Sequence, residues 1–124
     1  MRFLPTRLHG VIDYIWGAAL LTTPWLLGYS DMRAATWLAV IFGVGAFLYS
    51  AVTDYEPGLI RILPMPVHLV IDGLGGAVLT ATPWIFGFAD RVFAPHLLFG
   101  LFSVLASLVT RTDPLQPSGR RYAA

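Results

Sequence analysis

Four long apolar runs, at about residues 8–29, 34–53, 67–88 and 94–111, alternate with short stretches where charge, proline and glycine collect. Those stretches are Gly28 to Arg33, Asp54 to Pro66 and Gly87 to Phe93. Crossing a hydrocarbon core of about 30 Å at 1.5 Å per residue takes roughly 20 residues of helix. Backbone polar groups cannot go unpaired in lipid, so runs of this length predict helices and not strands. The pattern predicts four spans in two hairpins.

The two hairpins read as copies. Sliding the sequence on itself by 59 positions sets His9 on His68, Asp13 on Asp72, Gly17 on Gly76, Pro24 on Pro83 and Asp31 on Asp90. Without a gap, the match continues to Leu38 on Leu97 and Thr53-Asp54 on Thr112-Asp113. A fixed period over two copies signals a duplicated supersecondary unit. The expected fold is therefore all-α: an integral membrane four-helix bundle of two pseudo-symmetric helical hairpins, a two-span repeat duplicated in parallel. Residues 1–54 form the first two-helix repeat, 55–66 a cytoplasmic connector, 67–113 the second repeat, and 114–124 a flexible C-terminal tail. The first run follows Arg2 and Arg7 as a secretory signal would. Its twin at 67–87 argues instead for a permanent span.

Composition agrees with lipid as the solvent. Of 124 residues, 56% are hydrophobic and 12% charged, with a mean hydropathy of +0.69; soluble domains carry about 25% charged residues. A net charge of +1 gives no argument for nucleic acid. The absence of cysteine excludes disulfides, thiolate metal sites and cysteine nucleophiles. Six arginines (Arg2, Arg7, Arg61, Arg111, Arg120 and Arg121) lie on the side of the termini and central connector, and only Arg33 and Arg91 on the other. That bias places both termini in the cytoplasm. Trp25, Tyr29 and Trp84 then fall near the outer interface as anchors.

Two features carry candidate chemistry. Pro24 and Pro83 cannot donate to the carbonyls of Leu20 and Leu79, so each helix loosens near its outer end, and Thr22, Thr23, Thr80 and Thr82 stand where hydroxyls can satisfy the freed groups. His9 with Asp13, and His68 with Asp72, are four apart and share a helical face. A parallel duplication sets both pairs at one depth, where an imidazole and a carboxylate from each copy can converge. One reading is structural: each histidine neutralises a carboxylate near a helix N-terminus. A second is a divalent metal site, since imidazole and carboxylate suit zinc, iron or manganese. A third is axial haem ligation by His9 and His68; a proton relay is the fourth. His96 aligns with Trp37 and is expected at the interface, not as a ligand. Gly17, Gly43, Gly73, Gly76 and Gly100 permit close helix contact. No charge sits mid-span and no nucleophile–base pair is evident, which argues against a transporter and against an enzyme.

Leu8-His9-Gly10-Val11-Ile12-Asp13-Tyr14 with Thr23-Pro24-Trp25-Leu26-Leu27-Gly28, echoed by Val67-His68-Leu69-Val70-Ile71-Asp72 and Thr82-Pro83-Trp84-Ile85-Phe86-Gly87, resembles the SPW repeat family. These are small bacterial and archaeal membrane proteins whose two-span repeat carries a Ser-Pro-Trp signature. Thr23 and Thr82 replace the serine and keep the hydroxyl. The resemblance, over residues 8 to 113, implies topology and a bacterial inner-membrane location, and transfers no catalytic residue. The expected role is a structural or accessory component without a cofactor, partnered within the lipid bilayer by copies of itself or a larger membrane complex. The alternative is a metal- or haem-binding protein centred on His9, Asp13, His68 and Asp72.

Overall fold

The computed structural model describes residues 1–114. The tail expected at 114–124 lies outside the described residues apart from Pro114. Four helices account for most of the chain: α1 (Thr6–Leu26), α2 (Arg33–Ala51), α3 (Met65–Ile85) and α4 (Ala94–Val109). Pro5 and Pro64 hold extended backbone just ahead of α1 and α3, and their fixed φ ends the connector where the helix begins. Among the described residues there is no β-strand. Helices α2 and α3 are each long and apolar enough to cross a membrane, and α4 is a shorter apolar helix of 16 residues.

Each hairpin packs chiefly within itself, α1 on α2 and α3 on α4, and the hairpins meet more lightly along α2 with α3 and α1 with α4. Close approach within each hairpin depends on glycine. A Cβ built on Gly43 falls 2.9 Å from the Gly17 carbonyl oxygen, and one built on Gly76 falls 2.6 Å from that of Gly100. Both obstacles are backbone, so a methyl group would push the helices apart.

The Thr-Pro-Trp segments are helix stops. Pro24 strands the Leu20 carbonyl, and the Thr23 hydroxyl donates to it at 2.8 Å; Thr82 does the same for Leu79 at 2.7 Å. Three residues past Trp25 and Trp84, Gly28 and Gly87 take φ of 75° and 73°. The next amides, of Tyr29 and Phe88, reach back to the carbonyls of Pro24 and Pro83 at 2.8 Å. That six-to-one bond across a left-handed glycine is the Schellman closure. Trp25 and Trp84 point outward, while Tyr29 turns in. The Thr23 hydroxyl proton is committed to Leu20, so the Tyr29 hydroxyl donates to Thr23 at 2.5 Å. Tyr29 is therefore an interior residue and not the expected interface anchor.

At the opposite end the chain closes on itself. The Phe3 and Leu4 amides donate to the Val109 carbonyl (2.8 and 2.9 Å), and Arg111 donates back to Leu4 (2.9 Å). In the other half Ile62 and Leu63 donate to Val52 (3.0 and 2.8 Å) and Asp54 to Leu63 (2.7 Å). Matched residues ahead of α1 and α3 are 59 apart, but those ending α2 and α4 are 57 apart. Gly43 and Gly100, facing Gly17 and Gly76, keep the same spacing of 57. The gapless register that sets Leu38 on Leu97 and Thr53 on Thr112 thus fails beyond the outer turns. Thr53 corresponds to Thr110, because two residues are lost between α3 and the body of α4.

Candidate functional site

His9 and Asp13 sit on the inner face of α1, and His68 and Asp72 on that of α3, within the first two turns of each helix. The two helices stand diagonally across the bundle, so the four side chains meet on its axis. His9 Nε2 lies 2.9 Å from Asp72 Oδ2 and 3.2 Å from Asp13 Oδ1. His68 Nε2 lies 3.1 Å from Asp13 Oδ2 and 3.2 Å from Asp72 Oδ2. Imidazole and carboxylate alternate around the ring, Asp13 entering with both oxygens and Asp72 with Oδ2 alone, and the shortest contact joins the two halves. None of the four residues is more than 8% exposed.

A second layer of hydroxyls orients them. His9 Nδ1 bonds Thr110 Oγ1 at 2.7 Å and His68 Nδ1 bonds Thr53 Oγ1 at 2.8 Å. Each threonine donates its own proton to a helix carbonyl, Thr110 to Ala106 and Thr53 to Tyr49, both at 2.6 Å. Each threonine oxygen must therefore accept, and both imidazoles carry their proton on Nδ1. Their Nε2 atoms are left facing the carboxylates. Tyr49 donates to Asp72 Oδ1, and Tyr55 donates to Asp13 Oδ2 at 2.9 Å. Burial and the Asp13 charge push the Tyr55 hydroxyl above the ordinary phenol range, which keeps it a neutral donor.

The connector is a lid. Tyr55 is buried and packs with Met65 and Leu69. Glu56 accepts from Thr6 Oγ1 at 3.0 and 2.8 Å, and the Pro57 carbonyl accepts from Tyr14 at 3.0 Å. Arg2 covers the end of α4, donating to Ser107 and Thr110 carbonyls at 2.7 and 2.6 Å.

The residues singled out from sequence fall into separate places. His9, Asp13, His68 and Asp72 come together; Thr23, Pro24, Thr82 and Pro83 are buried at the far ends of α1 and α3; Trp25 and Trp84 are exposed there. His96 is not interfacial. It is fully buried, its Nε2–H donates to the Ala35 carbonyl at 3.0 Å, and Tyr29 and Phe88 pack on its ring. The two-residue shift is the cause: it sets His96 on buried Ala39 instead of exposed Trp37. Sequence reasoning missed Thr53, Thr110, Tyr49 and Tyr55. A signal existed for Tyr49, in the last turn of α2, and Thr53, just past its end, since the two are four apart at the depth of His68.

The space beside the cluster is small, a cavity of about 10 Å³ bordered by Asp13, Trp16, Tyr49 and Ser103 among others. A wider cleft of about 160 Å³ on the α2–α3 seam reaches Asp72, where Gly75 stands in the place of Trp16. Haem does not fit as an axial bis-histidine group: carboxylates fill the space between the imidazoles, whose ring centres are 5.4 Å apart. The four ligating atoms do lie within 4.8 Å of one another, a spacing that can enclose a single ion.

Two apolar helices long enough to cross lipid, in an all-α chain that turns large apolar side chains outward, define a small membrane protein. The SPW repeat domain matches residues 7–110, and the chain belongs to that family. No curated protein and no solved structure matches it.

Proposed function

We propose that the protein is a four-span component of the bacterial inner membrane with both termini in the cytoplasm, serving a structural or accessory role and meeting its partners inside the bilayer. Residues 1–54 and 67–113 act as the two repeat units, joined by the cytoplasmic connector 55–66. One observation carries the reading, the inverted distribution of side chains. The buried face of α2 is Ala35, Ala39, Gly43, Ala46 and Ser50, while Trp37, Ile41 and Leu48 are exposed. Water would not tolerate such a surface, and lipid requires it. Helix α1 is less apolar because it contains His9, Asp13 and Thr23, all of which face inward; its outer face carries Leu8, Val11 and Ile15. Helix α4 is about 24 Å long at 1.5 Å per residue, shorter than a hydrocarbon core of about 30 Å.

The remaining apolar perimeter suits packing against copies of the chain or a larger membrane complex. Isolation from the native membrane in mild detergent, with the mass and composition of the particle measured, tests this. A particle holding several copies, or this chain with defined integral partners, is expected. Recovery only as a lone monomer, or release by an alkaline wash without detergent, overturns it. Reporter fusions at either end that read outside the cytoplasm overturn the orientation.

A further inference from the structure

We propose that His9, Asp13, His68 and Asp72 form a closed, structural site for one divalent cation of the zinc type, held on the bundle axis by two residues from each half. Three observations converge on this.

The first is the proton accounting. Both imidazoles spend their Nδ1–H on threonine oxygens that cannot donate in return. In the neutral tautomer this leaves each Nε2 to present a lone pair at the centre; with no cation there, His9 Nε2 donates to Asp72 Oδ2 at 2.9 Å, while His68 Nε2 has no hydrogen-bond partner. Histidines that hold metals are oriented through the far ring nitrogen in this manner.

The second is His68 Nε2 itself. It is fully buried and has carboxylate oxygens at 3.1 and 3.2 Å, yet neither lies in line for a hydrogen bond. An imidazolium would turn its N–H onto one of them. A lone pair aimed between them, toward a shared cation, has no such need.

The third is geometry and charge. A tetrahedral zinc ion takes nitrogen and oxygen ligands at about 2.0–2.2 Å, which sets neighbouring ligand atoms roughly 3.3–3.5 Å apart. The four nitrogen–oxygen contacts here measure 2.9 to 3.2 Å, and one ligand atom from each residue lies within 4.8 Å of the others, so closing on a single ion asks Asp13, which faces His9 with Oδ1 and His68 with Oδ2, to present one oxygen to it. Two carboxylates, two neutral imidazoles and a divalent ion sum to zero charge, the condition that burial in lipid favours. Tyr49 and Tyr55 hold carboxylate oxygens from behind, as outer-shell partners of a metal do. With four protein ligands no position of a tetrahedral ion is left for a substrate, and of the two spaces beside the cluster the cleft of about 160 Å³ meets it at Asp72 alone. That makes the site structural and not catalytic.

The test is metal analysis of the full chain purified in mild detergent, followed by chelation and titration with Zn²⁺ and with Co²⁺. One zinc per chain, a visible Co²⁺ band of tetrahedral intensity, and a thermal midpoint that rises with added zinc are the expected results. His9→Gln/His68→Gln should abolish all three. Because that variant can fail to fold, Thr53→Val and Thr110→Val serve beside it, each weakening zinc binding about 10–100-fold while leaving the fold intact. Substoichiometric zinc with no Co²⁺ band in the wild-type chain overturns the proposal. So does undiminished zinc binding by a folded His9→Gln/His68→Gln chain or by the threonine variants, since binding would then lie elsewhere.

Discussion

Thr23 and Thr82 occupy matched places and make unequal bonds, which permits a sharp comparison. Replacing Thr23 with the isosteric valine strands two buried groups: the Leu20 carbonyl, which Pro24 cannot serve, and the Tyr29 hydroxyl. Replacing Thr82 strands only the Leu79 carbonyl, because Phe88 stands where Tyr29 does and has no hydroxyl. An unsatisfied buried polar group costs about 1–3 kcal/mol, and hydrogen bonds measured inside membranes sit near 0.6 kcal/mol. At about 1 kcal/mol per group, Thr82→Val should cost about 1 kcal/mol and Thr23→Val about 2 kcal/mol. Serine at either position should be nearly silent. Proline supplies the second half of the test. Pro24→Ala restores an amide that can donate to Leu20, so in that background Thr23→Val should lose about 1 kcal/mol of its cost. The assay is reversible unfolding in mixed micelles, followed by helical circular dichroism, across this mutant cycle. Equal costs for Thr23→Val and Thr82→Val, or no relief from Pro24→Ala, would refute the reasoning that the hydroxyl exists to serve the carbonyl that proline abandons.

Two further outcomes follow from the packing and can be read in the same assay. Gly43→Ala should destabilise by about 1–3 kcal/mol because its Cβ meets the Gly17 carbonyl at 2.9 Å, whereas Gly45→Ala, with nothing within 4 Å, should be neutral or slightly stabilising. Tyr49→Phe and Tyr55→Phe should each cost about 1.5–3 kcal/mol, the worth of a hydrogen bond to a charged group, while Arg91→Ala, which breaks an exposed pair with Asp31, should leave the midpoint unchanged.

Much of the architecture was legible in the order of residues, and the reason is the solvent. Lipid forces helix on any apolar run long enough to cross it, and the prolines, glycines and arginines between the runs mark the turns. The convergence of His9, Asp13, His68 and Asp72 was readable because the 59-residue register matches the first turns of α1 and α3, and spacing of four puts each pair on one face. The partners of that cluster were harder to see. Thr110 is hidden by the two-residue slip between α3 and α4, which a gapless comparison cannot reveal since leucines and alanines match leucines and alanines in almost any register. His96 was misplaced for the same reason. Tyr55 lies in a segment whose prolines signal a connector, and nothing local says that a connector will fold over a helix end and bury a phenol against Asp13.

The two halves are joined by imidazole–carboxylate contacts across the bundle axis, above all His9 with Asp72. A double-mutant cycle on His9→Leu and Asp72→Leu, read as unfolding free energy in micelles, tests this contact most directly. Each single change takes away one of two opposite partners, Asp72 keeping His68 and His9 keeping Asp13, so each should cost less than the penalty of about 3–5 kcal/mol for a fully unmatched buried charge. The double change should cost less than their sum by about 1–3 kcal/mol, the coupling of residues in contact. Costs that add to within about 0.5 kcal/mol would mean that the two side chains do not interact and would contradict the account.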